Sequence, residues 1–65
     1  MNTKKIGAKL IKLRGERTQE MVAKKLGIST SALSAYENGD RIPRDSIKIK
    51  IAKYYEKSVQ EIFFT

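Results

Sequence analysis

Five short α-helices and no sheet form the architecture that the chain predicts, and three observations carry it. Apolar residues recur three and four apart, Ser or Thr stands where helices would begin, and Gly stands where they would end. Ile6, Leu10 and Leu13 share one stripe of a first helix that ends near Gly15. Thr18 caps a second helix, with Glu20 in its first turn favoured by the positive helix end. That helix turns Val22, Ala23 and Leu26 inward and stops at Gly27. Ser29 caps the third, which carries Leu33 and Tyr36 inward and closes at Glu37-Asn38-Gly39. A loop from Asp40 to Arg44 follows, in which Pro43 prepares the next start. The stretch Ser46-Ile47-Lys48-Ile49-Lys50-Ile51 alternates as a strand would. Yet Ile47, Ile51, Tyr54 and Tyr55 also share a helical face, and a lone strand among helices would leave its backbone groups unpaired. A fourth helix is expected here, with Ile49 off its apolar stripe. Ser58 caps a short fifth helix holding Val59, Ile62 and Phe63.

Size and composition narrow the function. The 65 residues are read as one domain, 1–65, whose core must be small because so short a chain buries only about 60% of its unfolded surface. Cysteine and histidine are both absent, which removes disulfides, thiolate metal sites and the commonest bases and nucleophiles. No enzyme, metal or cofactor is expected. No apolar run reaches the roughly 18 residues of a membrane span, and the basic start Met1-Asn2-Thr3-Lys4-Lys5 leads into no signal-peptide core. A cytoplasmic, nucleoid-associated protein is expected, with no small-molecule ligand evident. Fourteen Lys and Arg against seven acids leave +7 on a small body, a charge density that attracts polyanions.

Leu26-Gly27-Ile28-Ser29 joins the second and third helices with the spacing of a helix-turn-helix unit. Ala23 is small where the helices would cross, and Gly27 takes a backbone conformation that a side chain would resist. Ile28 and Leu33 wedge the turn onto the core and hold the third helix proud of the surface. A helix so presented fits the major groove of DNA.

The run from Thr18-Gln19-Glu20 through Ala23-Lys24-Lys25-Leu26-Gly27-Ile28-Ser29, then Leu33-Ser34-Ala35-Tyr36-Glu37-Asn38-Gly39, resembles the lambda-repressor/Cro-type (XRE) helix-turn-helix family. The likeness continues through Arg41-Ile42-Pro43 to Ser58-Val59-Gln60-Glu61-Ile62-Phe63 and covers about Ile6 to Phe63. It implies a compact five-helix lambda-repressor-like domain, sequence-specific binding of double-stranded DNA, and usually repression. By the same resemblance Gln19 and Asn38 match residues that contact DNA phosphates. Arg41 and Arg44 flank the same loop and suit phosphates by charge and fork geometry. Lys12 matches a basic residue that in some members pairs with the glutamate matched by Glu37, a brace rather than a DNA contact. The base-reading positions correspond to Ser29, Thr30, Ser31, Ser34 and Ala35. Here the sequence departs from the better-known members, which carry Arg, Gln or Asn for bidentate base contacts. Hydroxyls and methyl groups are what this helix offers, so readout is expected through Ser and Thr hydrogen bonds, thymine methyl contacts and DNA shape.

One such domain covers half of a palindromic site, and the apolar end Ile62-Phe63-Phe64-Thr65 suggests association. A homodimer is expected, with Ile49, Tyr55 and Phe64 as candidate interface residues. Lys4, Lys5, Lys9, Lys24 and Lys25 would enrich the field around DNA; otherwise the lysines are read as a solvated face, with Lys48, Lys50, Lys53 and Lys57 on a fourth helix turned away from the groove. An antitoxin-like interaction subunit that also binds DNA is the alternative; it favours a long flexible tail, which the sequence lacks. A module on RNA or an anionic membrane would need exposed stacking aromatics or a clean basic amphipathic helix, and neither is visible.

Overall fold

The computed structural model describes residues 2–64. Met1 of the basic start and Thr65 of the apolar end lie outside the described residues. Five helices follow in order: α1 (Thr3–Arg14), α2 (Gln19–Leu26), α3 (Thr30–Glu37), α4 (Asp45–Tyr54) and α5 (Val59–Phe63). No strand occurs among the described residues.

Hydroxyl caps start three of the helices. Each of Thr18, Ser29 and Ser58 accepts from the amide three residues ahead, at 3.0–3.1 Å. At Ser58 the arrangement is reciprocal, because Glu61 Oε1 accepts from the Ser58 amide at 2.9 Å. α1 adds a cap that the sequence reading passed over: Asn2 Oδ1 accepts from the Lys5 amide. Gly27 ends α2 in the left-handed region at φ 71°, where its amide and that of Ile28 turn back to the carbonyls of Lys24 and Ala23. α4 stops without a glycine, and Glu56 takes the positive φ there.

The core joins all five helices. Ile6 and Leu10 of α1, Val22, Ala23 and Leu26 of α2, and Leu33 and Tyr36 of α3 meet Ile51 and Ala52 of α4 and Ile62 and Phe63 of α5. α1 and α2 both pack on α3, α4 rests on α2, and α5 closes the bundle against α1 and α4. The alternating stretch in α4 is helical, and period 3.6 explains which of its isoleucines go inside. Ile51 is fully buried and Ile47 half-buried, while Ile49 is 53% exposed. One lysine departs from the expected solvated face. Lys48 lies one turn before Ala52 and is buried, with its Nζ 3.7 Å from Asp45 Oδ1 and above the rings of Phe63 and Phe64. Lys57 lies beyond the end of α4.

Candidate nucleic-acid interface

α2, the turn and α3 are fixed from beneath. Ala23 and Leu33 are buried, and Ile28 packs against the core from the turn. α3 therefore buries Leu33, Tyr36 and Glu37 and leaves a face of small polar residues outward. Ser29, Thr30 and Ser31 are exposed, and Ser34 and Ala35 are half-buried on the same helix. Ser29 Oγ accepts the Ala32 amide at 3.0 Å, so its oxygen caps the helix and its proton stays available for donation. Ser34 Oγ accepts from Asn38 Nδ2 at 3.4 Å, which ties a residue of the helix face to the loop beyond it.

The residues expected on phosphates occupy both ends of this unit. Gln19 opens α2, where the free amides of a helix start favour an anion. Asn38, Arg41 and Arg44 are exposed along the segment between α3 and α4. Asn38 holds its backbone by accepting from Lys4 Nζ at 3.3 Å, and Arg41 lies above the Tyr36 ring at 5.8 Å. These contacts restrict where the two side chains reach.

Beneath the surface a polar network locks α1, α2 and α3 together. Glu37 is 4% exposed, so its carboxylate must be satisfied from within. Arg14 Nε donates to Glu37 Oε2 at 2.8 Å, and Gln19 Nε2 donates to Oε1 at 2.8 Å. Arg14 Nη1 also donates to the Arg17 carbonyl at 2.6 Å, securing the α1–α2 connection. The hydrogen bond to Glu37 raises the Arg14 pKa above its ordinary value, against a smaller opposing effect of burial. The brace expected from Lys12 is thus made by Arg14, and the reason is helical phase. Arg14 is one turn past Leu10 and faces inward, whereas Lys12 lies roughly 200° around the axis from Leu10 and is exposed. Gln19 serves as part of this brace, and its amide orientation is set by Glu37.

A family profile described as helix-turn-helix matches residues 9–62. The chain belongs to the helix-turn-helix family. It is 41% identical over 46 residues to an uncharacterised HTH-type transcriptional regulator of Methanocaldococcus jannaschii, a match covering 71% of this chain and 70% of that relative. No solved structure matches. The family, of the lambda-repressor/Cro (XRE) type, makes the protein a DNA-binding regulator of transcription and not an enzyme. No helix among the described residues is long and apolar enough to cross a membrane.

Several residues of this helix-turn-helix protein escaped the reading of its sequence. Arg14 is one, although its place one turn past Leu10 turns it inward by phase. Gly7 is another, and only the approach of α3 gives it a role. Arg17 stacks over Tyr54 and Tyr55, at 5.3 and 5.7 Å from their ring centroids. Among the candidate dimer residues, Ile49 and Phe64 are exposed, but Tyr55 is half-buried with its hydroxyl inside the helix-turn-helix domain and without a hydrogen-bond partner. Its packing there gives the side chain an intramolecular use.

Desolvation, and then the charge of Glu37, pushes the Tyr55 phenol up to about 12. The folded state holds the neutral phenol more firmly than the unfolded chain does. Its contribution to stability is therefore intact below about pH 10 and is lost as pH rises towards about 12. An ultraviolet titration comparing wild type with Tyr55→Phe should show one phenol ionising last. If the missing signal instead titrates near pH 10, Tyr55 is not desolvated in this way.

Proposed function

We propose that the protein is a sequence-specific repressor of the phage or bacterial type, binding a palindromic operator as a homodimer with α3 in the major groove. Residues 1–65 act as one domain, in the cytoplasm and at the nucleoid. The observation that supports this reading is the outward face of α3, where Ser29, Thr30 and Ser31 stand exposed on a helix fixed from below by Leu33, Tyr36 and the Glu37 brace.

Those three residues, with Ser34 and Ala35, read base edges by hydroxyl hydrogen bonds and methyl contact. Gln19, Asn38, Arg41 and Arg44 take phosphates and fix the register. In the dimer, exposed Ile49 and Phe64 and half-buried Tyr55 meet their counterparts across a two-fold axis. The two copies of α3 then lie about 34–36 Å apart, one turn of duplex.

Duplex binding measured across a salt series tests the reading. Affinity should fall steeply with salt, and a sequence-dependent part should persist against competitor DNA. Arg41→Ala should weaken all sequences alike and flatten the salt slope by about one, whereas Ser31→Ala or Thr30→Ala should change preference at particular base pairs. If Arg41→Ala alters preference and Ser31→Ala does not, the sorting of contacts is wrong. Equal binding to every duplex would reduce the interaction to charge alone.

A further inference from the structure

The helix-turn-helix face accounts for Gln19, α3 and the loop after it, but not for a second concentration of charge at the other end of α2. Lys24 and Lys25 lie at the end of α2, and Lys50 and Lys53 lie on α4, so that four lysines line one open groove of about 480 Å³. No acidic residue lines the groove, and none of the four makes an ion pair among the described residues. Its wall includes Leu26 and Gly27, at the turn into α3.

Local propensity explains part of this arrangement. A helix C-terminus favours cations, which suits Lys24 and Lys25 at the end of α2 and Lys53 in the last turn of α4. Lys50 has no such reason. It lies in mid-helix and reaches the groove because α4 packs on α2. A Cβ at Gly27 would stand only 3.9 Å from Lys50 Nζ, so the ammonium lies directly over the turn. Four lysines around one groove without a carboxylate repel one another, and an anion of matching charge relieves that repulsion. Lysine ammonium groups are mobile point charges with several donors each, suited to the oxygens of a phosphate chain rather than to one planar carboxylate. The site is also separate from the phosphate position at Gln19, since eight residues of α2 place the two ends about 11 Å apart.

We propose that this groove is a second anion site, which takes closely spaced phosphate groups. Two sources carry that chemistry: a free nucleoside polyphosphate, or the backbone of DNA running past the start of α3. Binding at the groove does not depend on how α3 reads bases, so the two readings fail separately.

The experiment compares the wild-type chain, Lys50→Gln/Lys53→Gln, and a charge-matched control, Lys12→Gln/Lys57→Gln. Inorganic tripolyphosphate, ATP and citrate are titrated calorimetrically, and DNA affinity is followed against salt. The proposal expects tripolyphosphate to bind wild type and control alike and to lose about tenfold or more in the groove variant. Bound tripolyphosphate should also raise the melting midpoint of wild type more than that of the groove variant. If ATP follows tripolyphosphate and the DNA salt slope is unchanged, the source is a free polyphosphate. If the DNA salt slope instead drops by about two in the groove variant alone, the source is the DNA backbone. Equal losses in the control variant, equal binding of citrate, or no change in either measurement would overturn the site.

Discussion

Gly7→Ala is expected to lower stability by about 2–3 kcal/mol, although alanine is the better helix former. On propensity alone the change in mid-helix should gain up to about 1 kcal/mol. The packing of α1 on α3 reverses that. A Cβ at Gly7 would stand 2.9 Å from the carbonyl carbon of Glu37, nearer still to its oxygen, and 3.0 Å from the Tyr36 carbonyl. These are backbone atoms at the end of the proposed recognition helix, and they cannot swing aside as a side-chain tip would. Relief must come from sliding α1 away from α3, which opens the contacts of Ile6 and Leu10 with the core. For a domain of this size about 1 kcal/mol moves the melting midpoint by roughly 4–8 °C, so thermal unfolding should show a drop of about 10–20 °C. A melting point equal to or above wild type would mean that the two helices do not approach this closely.

Arg14→Ala should cost still more, about 3 kcal/mol or above, because it strands a carboxylate in the interior. The Glu37 side chain is 1% exposed, and without Arg14 its remaining side-chain donor is Gln19. A chain of 65 residues has roughly 3–10 kcal/mol of total stability, so a large share of Arg14→Ala molecules should be unfolded at 37 °C. Lys12→Ala, on the exposed side of α1, should change stability by less than about 0.5 kcal/mol. Chemical denaturation of both variants checks the contrast, and a Lys12→Ala loss as large as that of Arg14→Ala would return the brace to Lys12. The double variant Arg14→Met/Glu37→Leu should recover much of the loss, since apolar side chains remove the need for a counter-charge. It should not recover DNA binding to the same degree, because Gln19 would lose the acceptor that fixes its amide.

The two variants mark where reading the chain succeeded and where it stopped. Helix starts and stops were legible because they depend on neighbours in sequence: Thr18, Ser29 and Ser58 each cap within three residues. The inward face of each helix followed from period, down to the exposure of Ile49 and the burial of Ile51. The helix-turn-helix spacing was legible for the same reason, since Ala23, Gly27 and Leu33 act within one continuous segment.

Contacts between distant segments were less accessible. Phase placed Arg14 inward, but only the packed fold brings its guanidinium across 23 residues to Glu37, and likeness to relatives had pointed to Lys12 instead. The burial of Lys48 depends on Phe63 and Phe64 folding back over it, and the charges that act on the buried Tyr55 hydroxyl, Glu37 and Arg17, come from other segments. The lysine groove exists only because α4 rests on α2. By itself, then, the sequence determined the five helices, their buried stripes and the helix-turn-helix segment proposed to face DNA, all set by interactions a few residues long. Tertiary structure alone decided which charges are buried, which are paired and which are left to gather in one groove. Those outcomes turn on distances between helices, and such distances are fixed by how side-chain volumes pack and not by the order of residues along any one helix.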